Sequence, residues 1–210
     1  MGRILSIRSA KMRRAAPLCA GIVAALALAA CNHEPKVDME TLDRAGMDYA
    51  SVQQLKNLRI TTPEITEVLN LHNAGFSDAE CVQAVQIFHG KGQPLRADDL
   101  TDMRRAGLRD ETIFTLASLN DFGRNAGELA AMHLAGLSDE VIVEVARRRA
   151  DGKPVLAGAS LARLKNVGVR SATLLELVRR GVPDSEANAI LAFRRHGASD
   201  KDILRHYSGS

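Results

Sequence analysis

The chain has 210 residues, of which 46% are hydrophobic and 3% aromatic, with 28 Lys/Arg against 25 Asp/Glu and a formal charge of +3. A chain this long can bury a sizeable core, and so few aromatic residues argue against a sheet protein. The basic excess comes from the first thirty residues, which contain Arg3, Arg8, Lys11, Arg13 and Arg14 and no acid. Residues 31–210 therefore carry 23 basic and 25 acidic side chains, a balance of −2, and the sequence pI of 8.9 is no sign of nucleic-acid binding.

In chain order the first segment has three zones: that basic start, an apolar run from Ala15 to Ala27, and small residues leading to Cys31. The apolar run is too short to span a bilayer as a stable helix, and the layout is that of a cleaved secretory signal. Leu28-Ala29-Ala30-Cys31 resembles the lipobox of bacterial lipoproteins, a resemblance that runs from Met1 to Asn32. It implies that Leu28, Ala29 and Ala30 are read by the signal peptidase and that Cys31 receives a thioether-linked diacylglyceryl group. It also implies cleavage before Cys31 and acylation, as with palmitate, of the new amino group. Two or more acyl chains anchor stably, because each buried CH₂ contributes about 0.8 kcal/mol. Asn32 in place of the aspartate that retains such proteins in the inner membrane points toward the outer membrane, facing the periplasm. Cys19 leaves with the signal and Cys31 is consumed by lipid, so Cys81 has no partner for an intrachain disulfide.

Beyond a short linker at 31–36, residues 37–208 read as repeats. Glycines stand at 46, 75, 107, 136, 168 and 197, at spacings of 29 and 32 in alternation. The alternation defines a double unit, one turn of which runs from Gly46 to Gly107 and the next from Gly107 to Gly168. Four positions before each glycine stand Leu42, Leu71, Met103, Met132, Leu164 and Phe193. Seven before stand Met39, Val68, Leu100, Leu129, Leu161 and Ile190. Six after stand Val52, Cys81, Ile113, Ile142, Leu174 and Ile203. These offsets predict one apolar face per helical arm. Each glycine fits the left-handed residue that ends a helix, and the Ser/Asp that follow fit a helix start, Ser77 to Glu80 as a capping box. Thr62 with Pro63, and Asn125 with Glu128, are read as caps at the other corners. About twelve short helices follow, forming an all-α, α-solenoid-like stack of helical hairpins, since no single hairpin unit can bury enough surface alone. The body resembles short helical repeats of the "DL-x-x-L-x-x-AG-V-SDE-V-I" kind in bacterial secreted and membrane proteins, a likeness that implies architecture and no activity. It does not match the tetratricopeptide pattern.

Candidate chemistry is sparse. His72 and His133 share one register, three before the glycine, but Asp43, Arg104, Lys165 and Arg194 occupy it elsewhere. A mostly basic last helical turn explains the register better than a metal site does, and no HExxH or clustered Cys/His spacing is present. Cys81 stands where other units carry aliphatic residues and reads as core. Gly90-Lys91-Gly92 and Gly152-Lys153-Pro154 lack the P-loop spacing and read as turns. Leu164 to Gly181 is similar to a helix-hairpin-helix element but has one hairpin glycine where that motif has two. Residues 31–139 balance to −7 and 140–210 to +5, which suits an ordinary solvated surface, an anionic partner, or head-to-tail self-association. The expectation is a lipid-anchored envelope protein acting as a non-catalytic interaction or scaffold module. It binds the membrane through its lipid and a protein partner or its own copies, with no nucleic acid, small-molecule substrate, cofactor or metal assigned. The alternatives are an accessory subunit or envelope enzyme with an unrecognised site, and, less favoured, a nucleic-acid binder.

Overall fold

The structure, a computed structural model, describes residues 38–119 and 122–208. Leu28, Ala29, Ala30, Cys31 and the 31–36 linker lie outside the described residues. Among those described, twelve α-helices run in order: α1 (Met39–Arg44), α2 (Tyr49–Asn57), α3 (Thr62–Asn73), α4 (Asp78–Gly90), α5 (Ala97–Ala106), α6 (Asp110–Ser118), α7 (Phe122–Leu134), α8 (Asp139–Ala150), α9 (Gly158–Asn166), α10 (Ser171–Arg179), α11 (Ala187–Arg195) and α12 (Asp200–His206). A 3₁₀ turn at Asp184–Glu186 precedes α11, and the described residues include no strand. Odd-numbered helices pack on successive odd-numbered ones and even on even, so six hairpins stack into two layers with one continuous core between them. The all-α stack expected from the repeat is the fold.

The periodic positions explain why these segments fold this way. Leu42, Leu71, Met103, Met132 and Leu164, four before each glycine, are buried, and so are Val52, Cys81, Ile113, Ile142, Leu174 and Ile203. Of these two registers only Phe193, in α11, is partly open. There the ring of His206 meets Phe193 edge-on at 4.8 Å and Tyr207 at 4.9 Å, an aromatic cluster between α11 and the end of α12.

The six predicted corner glycines all have positive φ, between 80° and 99°. At each, the following residue donates its N–H to the carbonyl five positions back, as Leu137 does to Met132 at 3.2 Å, and tucks a mostly apolar side chain under the helix just ended. An added Cβ at Gly136 would meet nothing within 4 Å, so its penalty is purely conformational. Gly136→Val is therefore expected to lower unfolding stability by more than about 1 kcal/mol in urea titration; a neutral result would mean the left-handed corner is not required.

Three local expectations are corrected. The cap of α3 is Thr61, with Thr62 as first helical residue, because the Glu64 carboxylate reaches the Thr61 N–H at 2.7 Å and hydroxyl at 2.8 Å. Asn125 is not a cap: α7 begins at Phe122, whose buried ring meets Phe88 edge-on at 6.1 Å and draws an extra turn into the helix. The Asp after each Ser is the first helical residue rather than a cap. Ser77 and Ser199 accept the capping N–H, whereas Asp78, Asp139 and Asp200 reach back to the preceding corner. Gly92 and Gly152, in the segments read as turns, have positive φ and end α4 and α8 with the same five-back bond, from Gln93 to Phe88 and from Lys153 to Arg148.

Candidate functional site

Polar side chains concentrate first at the corners. The basic residue three before the glycine meets the residue three after it: His72 Nδ1 and Asp78 at 3.0 Å, Arg104 and Asp110 at 3.3 Å, His133 Nδ1 and Asp139 at 3.2 Å, Lys165 and Ser171 at 2.8 Å, Arg194 and Asp200 at 3.3 Å. The same side chain also faces the end of the preceding odd-numbered helix. His72 Nε2 lies 3.2 Å from the Ala45 carbonyl, and Arg194 donates to the Gly168 carbonyl at 2.6 Å. The basic last turn thus neutralises a neighbour's C-terminal carbonyls as well as its own.

The carboxylates close the second half of this joint. Asp139 Oδ2 accepts from Arg109 Nε at 3.0 Å and from Thr112 Oγ1 at 2.7 Å. One double unit later, Asp200 Oδ2 accepts from Arg170 Nε at 2.7 Å and Thr173 Oγ1 at 2.9 Å. Burial opposes ionisation of both, but the Thr112 hydroxyl and Arg109 outweigh it at Asp139, as Arg170 and Thr173 do at Asp200, and both carboxyls are held below the usual range. His72 and His133 therefore belong to repeated structural joints. Among the described residues no group of three or more His, Cys, Asp and Glu is placed to hold a metal ion.

A second joint ties odd helices together. Glu67 Oε2 accepts the first N–H of α5, from Ala97, at 2.7 Å, and Glu128 Oε1 accepts that of α9, from Gly158, at 3.0 Å. Glu128 also takes both Nη atoms of Arg149 at 2.8 Å. Other basic side chains of the positive half serve helix ends: Arg148 donates to the Arg179 carbonyl at 2.8 Å and Arg180 to the Leu204 carbonyl at 2.6 Å. In the acidic half Lys91 does the same at the Ala117 and Leu119 carbonyls. Much of the predicted positive field is thus engaged inside the fold. Nor is it placed at the end of the stack: over 184–207, Asp184, Glu186, Asp200 and Asp202 match Arg194, Arg195, Lys201 and Arg205. In the helix-hairpin-helix-like segment, Lys165 and Arg170 are committed to Ser171 and Asp200.

Cys81 is fully buried, and burial followed by the nearby Asp78 and Glu80 charges pushes its thiol up to about 12. It is core, as expected, and no nucleophile at neutral pH.

One feature breaks the repeat. An open cleft of about 690 Å³ is lined by Arg59, Thr61, Pro63, Glu64, Glu67, His89, Gln93, Pro94 and Leu95, at the even-to-odd edge of the stack where α2 ends, α3 begins and the α4–α5 loop passes. Across it His89 Nε2 meets Glu64 Oε1 at 2.5 Å. The next double unit places Asn125 and Ala150 at the corresponding positions, so this pair has no counterpart there. Sequence periodicity missed it because it exists once, between side chains on two different helices, α3 and α4. Burial works against the Glu64 charge, but the Thr61 N–H and hydroxyl and then His89 outweigh it, and its carboxyl sits below the ordinary range. Arg59 ends α2 with φ of +55°, the one non-glycine residue with positive φ among the described residues. Beside Leu116, Phe122, Leu129 and Arg149 a narrow void of about 10 Å³ has room for no more than one water.

No helix among the described residues is long and apolar enough to cross a membrane. Comparison with known proteins finds no family model that matches this chain and no curated sequence similar to it.

Proposed function

We propose that this protein is a lipid-anchored cell-envelope module that binds a partner without catalysis. The observation that carries this reading is Leu28-Ala29-Ala30-Cys31 after a basic start and an apolar run, followed by a helical stack whose polar joints are spent on holding neighbouring hairpins together. Diacylglyceryl transfer to Cys31 and acylation of its freed amino group supply the anchor, and the asparagine at position 32 favours the outer membrane. The stack supplies a rigid side surface rather than a deep pocket. The test is Cys31→Ser in the full chain. Loss of metabolic palmitate labelling and release of the protein from the membrane fraction are the expected results, and membrane retention equal to the parent would overturn the anchor.

A second reading, an accessory subunit or envelope enzyme, is favoured by the Glu64–His89 pair in its open cleft. It ranks lower because the nearest hydroxyl, that of Thr61, already donates to Glu64, and the thiol of Cys81 is buried.

A further inference from the structure

The double-unit repeat provides an internal control for function. Several side chains that hold the stack together recur at its period, as Asp139 and Asp200 do, or Glu67 and Glu128. Positions that differ between double units carry roles peculiar to one unit, structural as at Arg149 or otherwise. Around the cleft, three differ together. Glu64 and His89 correspond to Asn125 and Ala150, and Arg59 corresponds to Gly181 two double units on. Gly181 holds its positive φ of 73° without strain, whereas Arg59 carries a Cβ into the left-handed region. A strained backbone kept by a charged residue at the rim of a cleft suggests that the side chain is used there.

The hydrogen-bonding groups of the cleft sort into spent and unspent. Glu64 Oε1 is taken by His89, and Oε2 by the Thr61 N–H and hydroxyl. Glu67 Oε2 is taken by the Ala97 N–H. The Gly92 and Gln93 N–H groups close the end of α4. Left without a hydrogen-bond or ion-pair partner among the described residues are the Arg59 guanidinium, the Gln93 side-chain amide, Nδ1 of His89 and the second oxygen of Glu67. Arg59 and Gln93 supply donors, and Arg59 carries a permanent charge suited to a planar oxyanion. Pro63 and Pro94, both exposed, give the same cleft an apolar rim, while Leu95 in its lining belongs to the core.

We infer that this cleft binds a terminal carboxylate attached to an apolar body, with Arg59 and Gln93 holding the carboxylate, His89 fixed beside it by Glu64, and Pro63 and Pro94 against the apolar part. This deepens the interaction-module reading by naming the chemistry its surface recognises, and it does not depend on Cys31. A peptide C-terminus and a free small acid both carry such a group.

The test follows the His89 ring resonances of the full chain by NMR while titrating N-acetyl-leucine, its amide, an acetylated pentapeptide ending in a free leucine carboxylate, and inorganic phosphate. N-acetyl-leucine is expected to give a saturable shift and its amide to bind about tenfold or more weakly, the loss of a charge-assisted pair. Tighter binding of the pentapeptide than of the free acid identifies a chain end as the ligand, and the reverse order identifies a small acid. Arg59→Gly relieves the left-handed strain and removes the guanidinium, so it is expected to keep or raise the unfolding midpoint while weakening N-acetyl-leucine about tenfold. Gln93→Ala serves as a second variant, read on the same His89 resonances, with weakened binding at an unchanged fold. Equal binding of acid and amide, equal displacement by phosphate, no saturable shift, or parental affinity in Arg59→Gly each overturns the inference. Release of Cys31→Ser from the membrane with binding intact leaves it standing, so failure of the anchor and failure of the cleft are separable.

Discussion

Glu128→Ala is expected to destabilise the stack by about 2–3 kcal/mol, and Arg149→Phe by less than about 1 kcal/mol, although both break the same ion pair. The asymmetry comes from burial. The Arg149 side chain is 18% exposed and its guanidinium is held by both Glu128 oxygens at 2.8 Å, whereas Glu128 is 40% exposed. Removing the carboxylate leaves a largely buried cation without an acceptor and uncaps the Gly158 N–H at the start of α9. Removing the cation leaves a half-exposed carboxylate that still caps Gly158. The repeat supports the second substitution directly: Phe88 holds the position equivalent to Arg149 in the preceding double unit, and it is buried. Urea unfolding of both variants gives the comparison. Equal losses would mean that the pair acts only through its charges and that helix capping contributes little.

Asp139→Ala is expected to cost about 2–3 kcal/mol, with Asp200→Ala close to it. Each leaves a buried threonine hydroxyl, Thr112 or Thr173, and a cation without their acceptor. The exposed guanidinium of Arg109 or Arg170 contributes little to that loss, being free to hydrate. The same carboxylates give stability a pH dependence. Both are held below their ordinary range in the fold, so the native state binds fewer protons than the unfolded chain under mildly acidic conditions. Their contribution is fully present above about pH 5 and is lost as pH falls through about 4 and below. Urea midpoints measured between neutrality and strong acid should decline along that path, and the Asp139→Asn/Asp200→Asn double variant should show a shallower decline. An identical pH profile for parent and double variant would remove these joints from the account of acid sensitivity.

The repeat made the joints partly legible. Glycine spacing and the offsets at −7, −4 and +6 located the arms, their buried faces and the left-handed corners, because helix periodicity and positive φ are local constraints that any single arm must satisfy. The register at −3 was correctly read as basic helix ends, but the partner of each cation could not be read from it. His72 and Arg194 use carbonyls of a different hairpin, far back along the chain, and only stacking brings those within hydrogen-bonding distance. Local capping was misread where a buried aromatic ring or a reaching carboxylate shifted the helix start, at Phe122 and at Thr61.

What the sequence determined by itself is the all-α hairpin repeat and its double period. The proposed address, in Leu28 to Cys31, rests on consecutive residues alone. What only the tertiary structure decided is where the charges are spent and where they are left over. The +5 balance of the second half suited an ordinary solvated surface as well as an anionic partner, and Arg148, Arg149, Arg170, Arg180 and Arg194 are each hydrogen-bonded to other elements of the stack, with Arg170 still largely exposed. Among the described residues Arg179, Arg195 and Lys201 stay exposed and unpartnered in that half, and a further unspent set lies in the acidic half around Arg59 and His89, at a cleft where two hairpins and a loop meet and which no periodicity records.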